Sequence, residues 1–362
     1  MFLKNLTLVN FKNHQQSDFQ FVDGINCFVG KNGTGKSNAL DAIHYLSMCK
    51  SYINSVDKQN ITFNENFFVI QGTFEKEEQE SNIYCGVKVG AKKIFRKNKV
   101  DYEKLSDHIG VFPSVVISPY DRDLISEGSE VRRKWIDSII SQIDRNYLET
   151  LVKYNKVVEQ RNALLKQQYE NGFFDRENIE IWNYQLELFG TPIYNRRKQF
   201  VAEFVPLFKK YYYQIGNSAE NVTLDYKSQL HESDFPTLLE SSLRRDSMTQ
   251  YTNVGVHKDD LLFMMNENLV KKIGSQGQQK TFLIALRLAQ FEWLNQQMNV
   301  KPIFLLDDIF DKLDNSRVEK LIHLIADNYF GQVFISDTDK NRLTEIFQHV
   351  QIPINFIETQ EI

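Results

Sequence analysis

One ten-residue stretch, residues 28–37, constrains the fold of this chain more than any other. It contains Gly30-x-x-x-x-Gly35-Lys36-Ser37, which is the spacing of a phosphate-binding loop. The apolar run before it predicts a buried strand, and the apolar residues after it recur at helical spacing. Glycines let backbone N–H groups turn toward an anion, and a helix N-terminus favours negative charge. The sequence therefore predicts a nucleoside-triphosphate site.

Each residue of the loop has a predicted role. Lys36 would reach the β- and γ-phosphates and take part in catalysis, and Ser37 would coordinate Mg²⁺. The other predicted ATP-binding residues of this loop are Gly30, Lys31, Asn32, Gly33, Thr34, Gly35 and Asn38. The alternative is a glycine-rich turn that only opens an ordinary helix, and the strand–loop–helix setting disfavours it.

An acidic pair follows a second apolar strand, far along the chain. Asp307 ends the run Ile303-Phe-Leu-Leu306 and is predicted to hold Mg²⁺, and Asp308 is predicted to polarise the attacking water. A helix cap and turn is the alternative explanation of the pair. Lys36 and Asp307 are 271 positions apart (307 − 36), so a whole domain is inserted between them.

The pattern of elements predicts an α/β fold. Strand signals dominate residues 1–118, which we expect to form the N-terminal part of an ATPase lobe. Residues 119–250 are expected to be an inserted, mostly helical lobe without a long coiled coil, since no helix keeps a heptad repeat. Residues 251–362 return to the ATPase lobe, as a mixed sheet with flanking helices.

A second glycine-containing loop, Gly274-Ser-Gln-Gly-Gln-Gln-Lys280, precedes another predicted helix. Such a loop at a helix N-terminus is a second anion site, and it need not face the phosphate loop of its own chain. His257 lies upstream and is predicted to be a structural histidine rather than a contact near phosphate. Lys12 and Asn13 are predicted to be solvated loop residues rather than neighbours of a bound base.

Composition leaves the question of a nucleic-acid partner open, because the net charge is only −4. One probable β-ribbon is locally basic and is a candidate DNA-binding surface. A solvated edge strand protected by lysines explains the ribbon equally well. Its basic residues are Lys92, Lys93, Arg96, Lys97 and Lys99.

The sequence predicts a cytoplasmic protein. No apolar run approaches the length of a membrane span, and no secretion signal is evident. Cys27, Cys49 and Cys85 are scattered without metal-binding spacing, which is typical of packing residues in a reducing compartment.

The order of these motifs resembles the ABC/SMC-type ATPases and is most similar to the RecF family of bacterial recombination mediators. The resemblance covers essentially the whole chain. It is carried by Gly30-Lys-Asn-Gly-Thr-Gly-Lys-Ser-Asn38, Ser118-Pro-Tyr-Asp-Arg-Asp-Leu124, Gly128-Ser with Arg132-Arg133, Gly255-Val-His-Lys-Asp-Asp-Leu261, Ser275-Gln-Gly-Gln-Gln-Lys280 and Leu305-Leu-Asp-Asp-Ile-Phe310.

The resemblance implies a composite site. In this superfamily two subunits enclose two ATP molecules, and the signature of one subunit, here Ser275, Gly277 and Gln278, closes on the γ-phosphate held by the other. Asp311-Lys-Leu-Asp314 corresponds to the loop that follows the acidic pair. Residues 336–338 replace the switch histidine of transporters, so ATP hydrolysis is expected to be slow.

The resemblance also implies a function. Double-stranded and single-stranded DNA would both be partners: ATP would dimerise the protein on duplex DNA near a single-stranded gap, and hydrolysis would release it. Its partners would be RecR and RecO, which help to load RecA in recombinational repair and replication restart and support the SOS response. The chain would not itself be a nuclease or helicase. The alternative is the ATPase subunit of another ABC-type assembly, with a transport or nuclease partner.

Overall fold

A computed structural model describes residues 1–216, 220–309, 315–326 and 329–359. Contacts within the chain divide it into two compact units. The first comprises the described residues of 1–122, 210–216 and 276–359, and the second comprises residues 123–209 and 220–275. The predicted loop 311–314 and Phe310 lie outside the described residues.

The first unit contains a parallel sheet that carries the phosphate loop. Within the described residues this sheet has the strands β3 (Ile25–Val29), β8 (Ser114–Ile117), β12 (Ile303–Asp307), β13 (Val333–Asp337) and β14 (Ile354–Glu358). Their order is β14-β3-β13-β12-β8, and every pairing is parallel. β3, β12 and β13 are buried along their whole length, which explains their continuous apolar runs.

The other sheet of this unit is antiparallel. Its described strands are β1 (Phe2–Phe11), β2 (His14–Gln20), β4 (Phe67–Lys76), β5 (Gln79–Lys88), β6 (Ile94–Lys97) and β7 (Val100–Asp101). The order is β2-β1-β4-β5-β6-β7, so the basic ribbon lies at one edge. Alternate residues of β4 and β5 face the core, as the alternating pattern predicts.

Helices of the first unit pack beside these sheets. They are α1 (Lys36–Met48), α8 (Gln276–Met298), α9 (Asn315–Ala326) and α10 (Lys340–Phe347). One apolar core joins α1 to both sheets and includes Leu40, Ile43, Phe68 and Leu305. The phosphate loop is therefore fixed between a buried strand and a buried helix.

The second unit is mainly helical. Its helices are α2 (Asp123–Ser126), α3 (Ser129–Ile143), α4 (Arg145–Glu170), α5 (Arg176–Ile215, of which the end from Lys210 belongs to the first unit), α6 (Phe235–Thr249) and α7 (Val270–Ile273). Within residues 220–275, a small antiparallel sheet has the order β11-β10-β9. Its strands are β9 (Val222–Lys227), β10 (Asp260–Met265) and β11 (Asn268–Leu269).

This small sheet changes the expected boundary of the insertion. We expected the helical lobe to end at 250, but the second unit continues to Ser275. The reason is the pairing of β9 with β10, which runs from Asp260↔Lys227 to Met265↔Val222 and ties residues 260–265 to the insertion. None of the helices in the described part of the chain is long and apolar enough to cross a membrane.

Candidate nucleotide-binding site

The phosphate loop occupies the carboxyl end of β3. Backbone geometry explains its glycines: φ is +86° at Gly33 and +90° at Gly35, in the left-handed region that favours glycine. A Cβ on Gly35 would also lie 2.6 Å from Nε2 of His14. Gly35 is the N-cap of α1, so the first N–H groups of that helix are available to an anion.

Lys36 lies back along its own loop. Its Nζ donates hydrogen bonds to the carbonyl oxygens of Gly30 and Lys31, each at 2.6 Å. The hydroxyl of Thr34 donates to the Lys31 carbonyl at 2.9 Å. These contacts stabilise the loop and keep the cationic amine of Lys36 within it. The positive charge of that amine favours binding of a phosphate group.

Two residues from different halves of the sequence meet at the edge of the parallel sheet. Ser37 Oγ donates to Asp307 Oδ1 at 2.6 Å, across 270 sequence positions. Asp307 ends β12, and β13 lies between β12 and β3. A hydroxyl and a carboxylate are oxygen ligands that Mg²⁺ accepts, so this pair fits that ion. The structure therefore brings the two predicted halves of the site together.

Ser336 is a site residue whose role the sequence did not predict. It ends beside Asp307 because the parallel register pairs these two residues. Its Oγ donates to Asp307 Oδ1 at 2.7 Å and accepts the Asp308 N–H at 2.9 Å. Asp308 has a φ of +51°, in the left-handed region that aspartate adopts more readily than most side chains. Ser336 thus holds both predicted acidic residues.

Tyr52 is a second residue that the sequence did not identify. Its hydroxyl donates to Asp307 Oδ2 at 3.0 Å, and burial, reinforced by the charge of Asp307, raises the pKa of Tyr52 well above its usual value. The buried carboxylate of Asp41 fixes this segment, because it accepts from the Tyr52 N–H at 2.8 Å and from Ser51 Oγ at 2.6 Å. No local pattern signals this role, since Tyr52 lies outside every motif.

Lys12 and Asn13 are not the solvated loop residues that we expected. Lys12 Nζ pairs with Asp41 Oδ2 at 2.6 Å, and burial lowers the pKa of Lys12 although Asp41 acts in the opposite direction. Asn13 Nδ2 donates to the Gly33 carbonyl at 3.0 Å, and its Oδ1 accepts from Asn38 at 2.6 Å. The turn between β1 and β2 therefore supports the phosphate loop.

His14, in the same turn, also contacts the loop. Its Nε2 lies 3.0 Å from the Gly35 carbonyl oxygen, and its Nδ1 lies 2.9 Å from Ser17 Oγ. Burial lowers the pKa of His14, so the ring is held neutral. The neutral ring therefore holds the carbonyl of Gly35, the N-cap of α1, without adding a charge beside the phosphate loop.

Two clefts of about 330 Å³ each flank the acidic pair. The first cleft is lined by the phosphate loop residues 32, 33 and 35–38 together with Tyr120, Asp307, Asp308 and Ser336. The second is lined by Asp307, Asp308, residues 117–122 in part, and the first turns of α8. The acidic pair is thus accessible from two sides.

Two of the signature residues, Gly277 and Gln278, belong to the same unit as the phosphate loop and do not line its cleft. Gln276, Gln279, Lys280 and Leu283 line the second cleft and share one helix face, at spacings of three, four and seven residues. Gly277 and Gln278 lie on other faces of α8, and Ser275 is exposed. None of these three is among the described residues that line the phosphate-loop cleft.

The segment 118–122 is anchored to α8. Asp121 accepts from the Ser118 N–H at 3.2 Å and pairs with Arg287 at 2.5 Å. Arg287 in turn donates to Gln290 on the same helix at 2.8 Å. This pairing fixes the wall of the second cleft, which gives the 118–124 motif a structural role.

The basic ribbon does not form one charged surface. Lys93 Nζ is held by Asp57 at 2.8 Å and by the Cys49 carbonyl at 2.8 Å, so its charge is already paired in a partly buried position. Arg96 pairs with Asp101. Lys97 lies over the ring of Phe112. Because successive residues of a strand face opposite sides, Lys97 and Arg96 lie on opposite faces of β6. Lys92 and Lys99 are exposed and remain candidates for DNA contact.

His257 lies in the second unit, where both of its ring nitrogens have partners. Nδ1 lies 2.9 Å from the Tyr154 hydroxyl, and Nε2 lies 2.9 Å from the Thr252 carbonyl oxygen. Burial lowers the pKa of His257 to about 4. These contacts agree with the structural role that we expected.

The fold and the site together define the class of protein to which this chain belongs. A phosphate loop after one buried parallel strand, a carboxylate two strands away and an inserted helical unit are the parts of an ABC-like ATPase head. A family model described as the RecF/RecN/SMC N-terminal domain matches residues 2–359.

Comparisons with individual proteins narrow this class. A DNA replication and repair protein RecF from Flavobacterium johnsoniae is 51% identical over 346 residues, which is 96% of each chain. The protein of the same name from Parabacteroides distasonis is 48% identical, over 96% of this chain and 94% of the relative. This chain belongs to the RecF family of DNA replication and repair proteins.

Solved structures agree. A structure of the recombination mediator RecF with ATP, described as part of the RecFOR pathway, has a TM-score of 0.87 at 31% identity, covering 93% of this chain and 92% of that one. An Smc head from Pyrococcus furiosus shares the fold, with a TM-score of 0.56 at 16% identity, covering 99% of this chain and 94% of that one. The predicted fold class and resemblance are thereby confirmed, and the chain is an ATP-binding ABC-like ATPase.

Proposed function

We propose that this protein is an ATP-dependent DNA clamp of recombinational repair and replication restart. ATP joins two copies on double-stranded DNA beside a single-stranded gap, and slow hydrolysis releases them. RecR and RecO are the partners that the family relationship supports, with RecA loading and the SOS response downstream. The chain is not itself a nuclease or helicase, and it works in the cytoplasm.

The position of the signature carries the dimer proposal. A complete ATP site of this class needs a phosphate loop and a signature, yet Gly277 and Gln278 do not line the cleft around Lys36. A second copy of the chain supplies them. The γ-phosphate then makes charge-assisted bonds across the interface only when ATP is bound, so the nucleotide shifts a monomer–dimer equilibrium.

The residues at the site have separate tasks. The loop amides and Lys36 hold the phosphates, and Ser37 and Asp307 provide oxygen ligands for Mg²⁺, which would neutralise phosphate charge. Asp308 orients the attacking water, held in place by the hydroxyl of Ser336.

Two variants test the composite site. Lys36→Ala should bind ATP poorly and therefore neither dimerise nor retain DNA. Ser275→Arg should bind ATP as the wild type does, because the proposal assigns Ser275 to the ATP held by the second copy, but its bulk and charge should block the dimer and ATP-dependent DNA binding. Nucleotide binding measured by calorimetry and DNA binding measured by anisotropy separate the two defects. A Ser275→Arg protein that dimerises normally with ATP would refute the proposal.

A further inference from the structure

Three cations of the second unit have no role in the nucleotide site. They are Arg133 on α3, Arg245 on α6 and Lys258 in the turn before β10, and together they are called the basic patch below. From the sequence, Arg132–Lys134 and Arg244–Arg245 are two ordinary solvated helix faces. The structure separates Arg132 from its neighbour, because Arg132 pairs with Asp260 at 2.7 Å.

Hydrogen bonds bring the basic patch together. The Arg133 guanidinium donates to the Asp259 carbonyl oxygen at 2.6 Å, which places it beside Lys258. Lys258 is exposed, and the N–H of its backbone donates to the Gly255 carbonyl at 2.8 Å. The side chain of Arg245 is exposed on the last turns of α6.

The residues that follow α6 link Arg245 to the same turn. Asp246 Oδ1 accepts the Asn253 N–H at 3.0 Å and the Asn253 side-chain N–H at 2.9 Å. His257 Nε2 lies 2.9 Å from the Thr252 carbonyl oxygen, so residues 252 and 257 are adjacent. Tyr251 directly precedes Thr252, so it lies on the same hydrogen-bonded segment as the turn that contains Lys258.

Carboxylates near the basic patch are already engaged elsewhere. Asp246 pairs with the buried Arg161 at 2.8 Å, and Asp259 pairs with the buried Arg197 at 3.1 Å. No ion pair of the basic patch occurs among the described residues. Partial burial lowers the pKa of Lys258 most, and the positive charges of Arg133 and Arg245 lower it further, against the opposing charge of Asp246. A phosphate anion would relieve this repulsion.

Tyr251 adds a flat apolar surface on the segment between α6, which carries Arg245, and the turn that carries Lys258. It is 63% exposed, although a tyrosine usually buries most of its ring. Nucleobases stack on exposed aromatic rings, and positive residues nearby hold the sugar–phosphate backbone. In a duplex the base faces are covered by their neighbours, so this ring offers most to an unpaired strand.

We propose that the basic patch binds the backbone phosphates of single-stranded DNA and that Tyr251 stacks on one of its bases. The inference rests on the proposed function, in which the protein acts beside a single-stranded gap. It adds a second DNA contact, which recognises the unpaired strand itself. The site lies wholly within the second unit.

Anisotropy titrations with a labelled oligothymidine strand and a blunt duplex of equal length test this site, with and without ATP. Tyr251→Leu should weaken binding of the single strand roughly 5- to 150-fold, the loss expected for one stacked base, and leave the duplex unchanged. Tyr251→Phe should bind as the wild type does. Tyr184→Leu is the matched control, because Tyr184 on α5 is 65% exposed in the same unit.

Charge variants test the phosphate contacts. Lys258→Gln and Arg245→Gln should each reduce the magnitude of the salt slope for the single strand by about 0.7, the value for one phosphate contact. Lys156→Gln, an exposed lysine on α4, should leave the slope unchanged. Thermal unfolding of every variant should match the wild type, because these side chains are at the surface.

The outcomes separate this site from the proposed function. Wild-type protein that binds neither DNA, with or without ATP, would refute both. Wild-type protein that binds DNA while Tyr251→Leu and the charge variants bind equally well would refute only the assignment of this site. A loss that is equal for single strand and duplex in Tyr251→Leu would refute the stacking role.

Discussion

Replacing Ser336 by alanine tests how the acidic pair is held. Ser336 is buried, donates to Asp307 Oδ1 at 2.7 Å and accepts the Asp308 N–H at 2.9 Å. A hydrogen bond to a charged group contributes about 1.5–3 kcal/mol. The charged partner of Ser336 is the Asp307 carboxylate, while Asp308 is held through its backbone N–H. If the acidic pair loses this support in the transition state, hydrolysis slows roughly 10- to 150-fold, at about 1.4 kcal/mol per tenfold change.

ATP affinity should change much less in this variant. The phosphates are held by the loop amides and by Lys36, and neither contacts Ser336. Single-turnover hydrolysis gives the rate of the chemical step, and calorimetry gives the dissociation constant for ATP. Ser336→Thr is the matched control, since it keeps the hydroxyl and suits a strand. Hydrolysis by Ser336→Ala at the wild-type rate would refute the orienting role.

Three further perturbations follow from contacts of the first unit. Gly35→Ala should weaken ATP binding at least tenfold, because its Cβ would lie 2.6 Å from His14 Nε2 at a φ of +90°, strain of about 1.4 kcal/mol or more; calorimetry measures it, and unchanged affinity would contradict the steric argument. Burial lowers the pKa of His108 to about 4, so the folded state stays neutral while the unfolded state takes up a proton below pH 6.5. Stability should therefore fall as the pH is lowered, by about 2 kcal/mol between pH 6.5 and 5 from this residue, and His108→Phe should reduce that loss in urea unfolding; an equal loss in the variant would show that His108 is not responsible. Lys93→Gln should lower the free energy of unfolding by about 1–3 kcal/mol, because the pair with Asp57 is lost, and should leave DNA affinity unchanged. Weaker DNA binding without destabilisation would show instead that Lys93 contacts DNA.

Local patterns predicted the parts of the site that depend on local structure. The phosphate loop, its strand and its helix follow from glycine spacing and apolar periodicity. The acidic pair followed from the buried strand before it. These features depend on residues within a few positions of one another, so one sequence is sufficient.

Other parts depend on pairings that no local pattern encodes. Ser336 reaches Asp307 only because β13 lies between β3 and β12 with that particular register. Tyr52 reaches the same carboxylate through a loop held by Asp41. The boundary of the second unit depends likewise on the pairing of β9 with β10.

The basic ribbon shows a different limit of sequence reasoning. Charge counts alone treated Lys93 and Lys97 as parts of one surface. The structure places Lys93 in an interior ion pair and Lys97 over an aromatic ring. Lysine stems pack readily against apolar groups, so a basic run does not define a basic surface until side-chain directions are known.

Sedimentation velocity would detect the proposed ATP-dependent dimer directly. Wild-type protein would be examined without nucleotide, with ADP–Mg²⁺ and with ATP–Mg²⁺, each with and without a gapped duplex. We expect a monomer in the first two states, a dimer with ATP, and that dimer retained on the DNA. A monomer in every state, including ATP with DNA, would contradict the proposal.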